Sequence, residues 1–373
     1  MVRTVGLPRM HKEAGERRDF LPAFTAFLDR AGATEIVVEE GYGSGMGLTA
    51  DDYLRASSKV RVGDYATCLG QELVAVVRCP GDEALRQMSR GAVLLSMLHY
   101  PTRPGRVALL RELGIRGVSL DGLVDEQGVR LVQNLEAVGW NGVQAAFKEL
   151  SAHLHRFAEP GRRPVRTVIM GPGHVGAHAA RAAIHYGDPA LRTALAKRGV
   201  PGVMVTLIDY DLTGQENMML DLLEHTDLLV DATSRPDPSK HVVPNAWVGA
   251  LPEHAVMLDL SVDPYDFTCN PPEVKGIEGM PEGTLDQYVF QPGDPVYARM
   301  DPRIDRTHRR TALSCYSWPG VNAKVCMEIY GNQVEPIARV LLECELDTLD
   351  PERGRFFERV VARAEVNRWQ SAH

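Results

Sequence analysis

The sequence predicts an α/β protein in which one α/β unit is inserted between the two halves of another. Short runs of β-branched and aliphatic residues alternate with helix-like segments along most of the chain. A glycine-rich turn follows one of these runs near the middle, and two helix-like segments close the chain. Because 373 residues are enough for two domains, we expect residues 1–135 and 310–373 to form one domain and residues 136–309 the other.

The first unit is predicted from the segments that precede the glycine-rich turn. Strands are expected over residues 34–38, 73–77 and 92–98, where β-branched and aliphatic residues dominate. Helices are expected over residues 20–31 and 104–113. This alternation is typical of a parallel sheet with helices on its faces.

The remaining helix-like segments lie before and after the middle unit. One covers residues 131–157 and is expected to break near Gly139 and Gly142, because glycine disfavours a helix interior. A long one follows the Pro319-Gly320 pair, and a shorter one ends the chain. We expect the two C-terminal helices to pack on the first unit, which makes the middle unit an insertion.

The glycine-rich turn has the spacing of a dinucleotide site. Gly171, Gly173 and Gly176 stand in G-x-G-x-x-G order, after a strand-like run and before an alanine-rich segment that favours a helix. The first glycine allows a tight turn, the second lets the backbone approach a pyrophosphate, and the third lets helix and strand pack closely. Free N–H groups at the start of the helix, around His174 and Val175, then face the phosphates. The turn predicts a Rossmann unit that binds NAD; the alternative is an ordinary turn whose glycines only serve packing.

An acidic residue follows at the end of the next strand-like run. Asp209 can bind the ribose hydroxyls of NAD and repel the additional phosphate of NADP, so NAD is favoured over NADP. It lies further from the glycines than usual. The excess predicts an extra short helix within residues 187–202.

Two more strand-like runs cover residues 228–233 and 256–263. Buried runs separated by helical segments predict a parallel sheet. Thr233, in the first of these runs, and Val262, in the second, are expected to be among the residues that bind the cofactor.

A second glycine-rich loop, over residues 40–47, is not expected to bind a nucleotide. Its glycines alternate and do not fit the G-x-G-x-x-G spacing. We interpret it as a flexible turn.

Composition argues against several classes of protein. The net charge is −8 and basic residues are not clustered, which argues against nucleic-acid binding. The apolar runs are too short to span a bilayer, and the start of the chain lacks a signal-peptide core, so a cytoplasmic protein without membrane contact is expected. The six cysteines form no C-x-x-C pair and are expected to be free and mostly buried. No metal site is predicted, since His11, His99, His153 and His155 lack the usual ligand spacing.

Several segments, in a shared order along the chain, carry a family resemblance. Among them are Gly15-Glu16-Arg17-Arg18-Asp19-Phe20-Leu21-Pro22, Ser96-Met97-Leu98-His99, Asp259-Leu260-Ser261-Val262-Asp263 and Ser317-Trp318-Pro319-Gly320. They resemble the family of alanine dehydrogenase, the N-terminal part of proton-translocating transhydrogenase, lysine-forming saccharopine dehydrogenase and carboxyethyl-ornithine synthase. The short path from Asp209 to Leu228, which leaves out a full third Rossmann strand, is similar to the saccharopine dehydrogenase branch.

The resemblance implies roles for matched residues. Arg17 would hold the substrate carboxylate, with Arg18 as a second candidate. His99 would be the general acid and base, and Asp263 would lie by the nicotinamide ribose or the substrate amine. Each residue also has a structural alternative: an ion pair at the surface for Arg17, backbone hydrogen bonding for His99, and a turn before Pro264 for Asp263.

Arg78 departs from the family pattern, which carries a lysine in its V-K-x-P segment; here the run is Val77-Arg78-Cys79-Pro80. Arginine keeps the positive charge and can anchor a carboxylate, but it does not lose its proton. Three alternatives follow. His99 carries all proton transfer while Arg78 binds, or the substrate differs, or the reductive chemistry has been lost.

The resemblance implies an NAD(P)-dependent amino-acid dehydrogenase or an opine-type reductive aminase. Such an enzyme transfers hydride between nicotinamide and the carbon of a C–N bond formed from a 2-oxo acid and an amine. The amine is ammonia or the side-chain amine of lysine or ornithine. The alternative function is a non-catalytic NAD-binding relative with a regulatory role. Relatives commonly assemble, so a homo-oligomer is expected.

Overall fold

The computed structural model describes residues 4–153, 159 and 161–370, and these divide into two compact units. Unit 1 consists of the described residues up to Asn134 and from Ala323 onward, and unit 2 of those from Leu135 to Asn322. One unit is therefore inserted between the two halves of the other. The sequence-based prediction of an inserted unit is confirmed.

Helices and strands alternate along both units. The first part of unit 1 contains, in chain order, β1 (Thr4–Leu7), α1 (Pro22–Arg30), β2 (Glu35–Glu39), α2 (Ala50–Ala56), β3 (Val60–Gly63), α3 (Tyr65–Leu69), β4 (Leu73–Arg78), α4 (Asp82–Leu85), β5 (Val93–Met97), α5 (Pro104–Leu113) and β6 (Arg116–Ser119). Unit 2 contains α6 (Leu135–His153), β7 (Val165–Met170), α7 (His174–Ile184), α8 (Pro189–Lys197), β8 (Val203–Ile208), α9 (Tyr210–Thr213), α10 (Glu216–Leu223), β9 (Leu228–Asp231), α11 (Asn245–Val248), β10 (Val256–Asp259), β11 (Val289–Phe290), α12 (Val296–Arg299) and β12 (Thr311–Ser314). Unit 1 then resumes with α13 (Ala323–Glu343) and α14 (Phe356–Ala364).

The strands of unit 1 form one parallel sheet in the order β3-β2-β1-β4-β5-β6. Strands such as β4 and β5 are buried and almost wholly apolar, as expected for a parallel sheet covered on both faces. The strand order reverses between β1 and β4. Since all strands run in one direction, their carboxyl ends lie at one edge of the sheet, where α/β proteins bind ligands.

The helices of unit 1 follow from their end residues and apolar faces. Pro22 begins α1 and Pro104 begins α5, where the fixed φ of proline favours the first helical turn. Gly114 ends α5 in the left-handed conformation, at φ 69°. The helix α13 buries Met327 and Ile337 in the same core as α1 and the sheet. The C-terminal helices pack on unit 1, as the sequence predicts.

Unit 2 also contains one sheet, in the order β11-β12-β10-β9-β7-β8, parallel except for the pairing of β11 with β12. The chain passes from β7 to β8 on one side and then returns to β9 on the other side of β7. No strand pairs with the outer edge of β8 in the described part of the chain, so the prediction that a third Rossmann strand is left out is confirmed. The helix predicted within residues 187–202 is α8.

Two predictions about unit 2 differ from the structure. Its end lies at Asn322 and not before residue 310, because β12 pairs with β10 within its sheet. The predicted break at Gly139 and Gly142 is wrong: α6 is continuous through both, and residues 154–157 of the predicted helix lie outside the described residues. A Cβ at Gly139 would lie 2.7 Å from the amide nitrogen of Ala179, and one at Gly142 would meet Leu260 at 2.5 Å. Both glycines therefore permit close packing of α6.

All six cysteines are free, and four of them are buried, which confirms that prediction. Within the described ranges, no helix is both long enough and apolar enough to cross a membrane.

Candidate functional site

The predicted glycine cradle lies at the carboxyl end of β7, where the strand order of unit 2 reverses. Gly171 has φ 95°, and a Cβ there would lie 2.5 Å from the carbonyl oxygen of Ala232. A Cβ at Gly176 would lie 1.8 Å from the carbonyl oxygen of Gly171. A Cβ at Gly173, in contrast, would meet no atom of the described part of the chain within 4 Å. Packing thus explains the first and third glycines, and the second borders open space.

The helix α7 begins directly behind this open space. Gly173 precedes its first residue, His174, and no side chain caps the helix start. The leading N–H groups, including those of His174 and Val175, therefore have no side-chain partner from the cap position. Together with the positive end of the helix dipole they suit an anion. The open space at Gly173 and the uncapped helix fit the pyrophosphate of a dinucleotide.

Asp209 lies beside this cradle, at the carboxyl end of β8. The ladder between β7 and β8 brings it there, since the Gly171 amide donates to the carbonyl of Ile208 at 2.9 Å. Asp209 is exposed, and its Oδ1 accepts a hydrogen bond from the amide of Tyr210 at 2.7 Å. The carboxylate is thus held at the edge of the sheet, beside the space that the glycines border.

Thr233 and Val262 follow the neighbouring strands β9 and β10. The Thr233 hydroxyl donates to Oδ1 of buried Asp231 at 2.6 Å, so the side chain is bonded towards the sheet. Val262 has φ 62°. This left-handed conformation costs a β-branched residue on the order of 1–3 kcal/mol and is typical of functional segments.

Asp263, the next residue, carries an ion pair. Arg235 donates from its terminal nitrogen to the Asp263 carboxylate at 2.7 Å, and the guanidinium is buried while the carboxylate is partly exposed. The Asp263 side chain thus binds Arg235, which a role only in the turn before Pro264 would not require.

His99 and Arg78 lie together at the carboxyl edge of the unit 1 sheet. Arg78 ends β4, and His99 follows β5, its immediate neighbour in the sheet. Arg78 donates to Glu13 at 3.0 Å, and both side chains are partly exposed. The structure therefore brings these two predicted residues to one edge.

The backbone of His99 is held by Asp121. His99 is left-handed at φ 51°, and its amide donates to both carboxylate oxygens of Asp121, at 3.1 and 3.2 Å. The imidazole Nδ1 lies 3.4 Å from Asp121 Oδ2. Asp121 is buried and also accepts a hydrogen bond from the Ser119 hydroxyl at 2.9 Å. A carboxylate behind the imidazole orients the ring and stabilises its charged form.

Burial and several neighbouring charges together lower the pKa of His99. Partial burial lowers its pKa, and the guanidinium charges of Arg106, Arg130 and Arg78 lower it further, against the Asp121 carboxylate, which raises it. The half-exposed ring is therefore neutral at neutral pH and can accept a proton.

Sequence reasoning missed Asp121, Arg106 and Arg130. Asp121 follows the short strand β6, which was not predicted and which pairs with β5 in parallel, with Ser96 beside Ser119. Only this pairing shows that Asp121 lies next to His99. Arg106 lies in α5 and Arg130 in a loop, and nothing in the sequence of either segment indicated that these side chains act on His99.

Arg17 and Arg18 have different surroundings. Arg18 is buried and donates to both carboxylate oxygens of Glu16, at 2.8 and 2.5 Å. Arg17 is partly exposed, and its Nε donates to the carbonyl of Gly15 at 3.1 Å. Both carboxylate oxygens of Glu16 thus hold Arg18 in the interior, whereas Arg17 is partly exposed.

The glycine-rich loop over residues 40–47 packs on Arg17. A Cβ at Gly45 would lie 2.5 Å from the Cβ of Arg17. The Gly43 amide donates to the buried Asp19 carboxylate at 2.8 Å. The loop thus holds the segment that carries Arg17.

Among the described residues, no group of three or more His, Cys, Asp or Glu side chains can hold a metal ion. His155 lies outside those residues.

Comparison with known proteins agrees with this geometry. Residues 6–137 match the family model described as alanine dehydrogenase/PNT, N-terminal domain. Over these residues, about a third of the chain, the protein is similar to the alanine dehydrogenase/PNT family. The family resemblance stated from the sequence is thereby confirmed.

Curated relatives support the same family. An alanine dehydrogenase of Methanococcus maripaludis is 23% identical over 273 residues, which cover 69% of this chain and 72% of that protein. An alanine dehydrogenase of Mycolicibacterium smegmatis is 24% identical over 274 residues, with the same coverage of 69% and 72%.

Two solved structures share the fold. An L-alanine dehydrogenase aligns with a TM-score of 0.68 and 18% identity, over 93% of this chain and 91% of that one. A transhydrogenase from Sinorhizobium meliloti aligns with a TM-score of 0.64 and 16% identity, over 91% and 95%. At these identities the similarity establishes the two-unit fold alone.

Proposed function

We propose that this chain is an NAD-dependent oxidoreductase that interconverts a 2-oxo acid plus an amine with the corresponding amino or imino acid. The observation that carries the proposal is His99, kept neutral among arginines and backed by buried Asp121. The curated relatives named alanine dehydrogenases support the same chemistry. Self-association and a cytoplasmic location stay predictions of the sequence.

Unit 2 is proposed to hold the cofactor. The cradle Gly171–Gly176 and the start of α7 would bind the pyrophosphate, and Asp209 would bind the adenosine ribose, which favours NAD over NADP. Thr233 and Val262 border the other half of the same edge. When bound, the nicotinamide supplies or accepts a hydride at the carbon of the C–N bond.

Proton transfer is assigned to His99. In the reductive direction the neutral imidazole accepts a proton from the amine nitrogen as it attacks the carbonyl, and the imidazolium, stabilised by Asp121, returns this proton to the carbonyl oxygen to form the carbinolamine. The imidazole then accepts the second proton of the nitrogen and donates it to the hydroxyl group, which leaves as water as the C=N bond forms. Both nitrogen protons thus end on the leaving oxygen, and the ring returns to its neutral form.

The substrate carboxylate is assigned to Arg78 and Arg17. A guanidinium at neutral pH binds a carboxylate through two parallel N–H donors but does not act as a base. Among the three alternatives raised by Arg78, this favours the first, in which His99 transfers the protons and Arg78 binds. The amine is proposed to be ammonia or the side-chain amine of lysine or ornithine.

The test is NADH absorbance against a matrix of 2-oxo acids, each paired with ammonia, lysine, ornithine or no amine, with NADPH in parallel. We expect oxidation that depends on one acid–amine pair and is lost in His99→Gln. Arg86→Gln serves as a matched surface control, because its ion pair with Glu112 is exposed. Oxidation without dependence on the amine, or unchanged in His99→Gln, would contradict the mechanism.

A second candidate is a non-catalytic NAD-binding protein. The ion pair between Arg78 and Glu13 favours it, because Glu13 offsets the charge that would bind the carboxylate. NADH binding without turnover across the whole matrix would select this candidate.

A further inference from the structure

Unit 2 contains a buried lysine that the proposed chemistry does not use. The Lys275 ammonium is 2.7 Å from Asp259 Oδ2, 2.8 Å from the carbonyl oxygen of Asp263 and 3.4 Å from the Ser314 hydroxyl. Its side chain is 4% exposed, and that of Asp259 is 3% exposed. An ammonium has three N–H donors, and three acceptors surround this one.

Asp259 connects Lys275 to the strained turn. Its Oδ1 accepts hydrogen bonds from the Ser261 hydroxyl at 2.9 Å and from the Val262 amide at 3.0 Å. Burial alone would raise the pKa of Asp259, but the Lys275 charge and hydrogen bond, with the bonds from Val262 and Ser261, outweigh it and lower the pKa. The carboxylate is therefore ionised. One of its oxygens binds the Ser261–Val262 part of the turn, and the other binds Lys275.

A glycine permits the lysine to approach. A Cβ at Gly276 would lie 1.9 Å from Oδ2 of Asp231, a buried carboxylate oxygen with no hydrogen-bond partner among the described residues. The segment that carries Lys275 thus packs directly on the end of β9. Arg235 joins the same segment to the turn, since it donates to the carbonyl of Val274 and to the Asp263 carboxylate.

The position of the turn from Asp259 to Asp263 indicates which half of the cofactor lies beside it. In a doubly wound sheet, the two halves of a dinucleotide lie on opposite sides of the point where the strand order reverses. Gly171 and Asp209 lie on the β7–β8 side, which leaves the β9–β10 side for the nicotinamide half. The turn from Asp259 to Asp263 belongs to that side, next to Asp231 in the ladder.

We propose that Lys275 is a positioning residue for the nicotinamide half of the cofactor. It holds the Asp263 carbonyl and the Asp259 carboxylate together, and so keeps Val262 left-handed and the Asp263 carboxylate on Arg235. This inference rests on the proposed function, because it assumes that unit 2 binds a nicotinamide dinucleotide. A buried ion pair by itself is weak evidence for stability, so a purely stabilising role does not account for the arrangement.

The test separates positioning from folding. Lys275→Met alone leaves the Asp259 charge buried and unpaired, and we expect it to unfold at a lower temperature. The double variant Lys275→Met/Asp259→Asn removes the pair together. Its new amide side chain keeps an oxygen for the Val262 amide and gains an NH2 group that can donate to the Ser314 hydroxyl. The bond from Lys275 to the Asp263 carbonyl and the bond from the Ser314 hydroxyl to Asp259 Oδ2 are lost. Lys197→Met is the matched control, since Lys197 is exposed at the end of α8.

Two ligands are titrated against the full chain, its Lys197→Met control and the double variant. They are NADH, by fluorescence, and ADP-ribose, which lacks the nicotinamide, by calorimetry. In the double variant we expect the thermal midpoint of the parent and a dissociation constant for NADH raised about fivefold or more, the equivalent of one lost hydrogen bond. The dissociation constant for ADP-ribose should stay within about twofold.

Other results of these titrations would contradict either the proposed function or the inference about Lys275. A parent chain that binds neither ligand would refute the proposed function and, with it, this inference. If the parent binds both ligands, and the double variant loses affinity for NADH and ADP-ribose equally or loses affinity for neither, the inference alone would be overturned. A double variant that remains unstable and loses both ligands equally would also overturn it, because Lys275 would then be structural.

Discussion

Gly173→Ala tests the cofactor site with little risk to the fold. Gly173 has φ −64° and ψ −173°, which alanine adopts without strain. Its new Cβ would meet no atom within 4 Å among the residues that the structure describes. The added methyl group therefore enters the open space that we assign to the pyrophosphate. Folding should be unaffected, and only a ligand in that space should be displaced.

The expected loss of NADH affinity follows from the overlap between the added methyl group and the pyrophosphate. An extra methyl group in a filled space costs about 1–3 kcal/mol, which corresponds to a dissociation constant for NADH raised roughly 5- to 150-fold. Fluorescence titration with NADH measures this constant, and thermal unfolding of the same sample reports the fold. We expect weaker binding at an unchanged thermal midpoint.

Gly176→Ala provides the contrast. Its Cβ would lie 1.8 Å from the carbonyl oxygen of Gly171, so α7 must move away from the turn. This variant should lower the thermal midpoint by the equivalent of about 1–3 kcal/mol. If Gly173→Ala binds NADH like the parent, the reasoning is refuted, and the glycines serve packing only.

Three further predictions concern proton transfer, substrate and cofactor choice. Asp121→Asn removes the charge that raises the pKa of His99. Because the base must be neutral and its pKa is lowered, kcat/KM of the parent should rise with pH at a pH below the ordinary histidine pKa. In the variant this rise should move to still lower pH, and kcat should fall about 10²- to 10⁴-fold. A pH–rate profile that is unchanged would show that His99 is not the base. Arg78→Ala should raise the KM for the 2-oxo acid about tenfold or more without changing NADH affinity; steady-state kinetics with NADH titration measure both, and an unchanged KM would remove Arg78 from the substrate site. Asp209→Asn should lower the preference for NADH over NADPH about tenfold, measured as the ratio of their dissociation constants, and an unchanged ratio would exclude Asp209 from cofactor choice.

The parallel strands and the inserted unit were predictable because their patterns are local. Residues 73–77 and 92–98 are apolar runs that a buried parallel strand requires, and they are close to β4 and β5 in the structure. The glycine spacing likewise places the turn after β7. The end of unit 2 was not predictable, since β12 belongs to it only through its pairing with β10.

The details of the site depend on contacts between distant segments. Gly139 looks like a helix break in sequence, yet it is the place where α6 meets Ala179. Asp121 gains its importance from lying beside His99 across two strands, and Lys275 from lying against Asp259. Neither partner is near in sequence, so periodicity and propensity carry no information about them.

Isotope transfer tests the central claim most directly. The chain is incubated with NADH that carries deuterium at both C4 positions, together with a mixture of 2-oxo acids and amines, and the amino-acid products are analysed by mass spectrometry. We expect a product with one deuterium at its α-carbon, absent in His99→Gln. If NADH binds but no product carries deuterium, the chain is not a reductive aminase, and the proposed oxidoreductase function is contradicted.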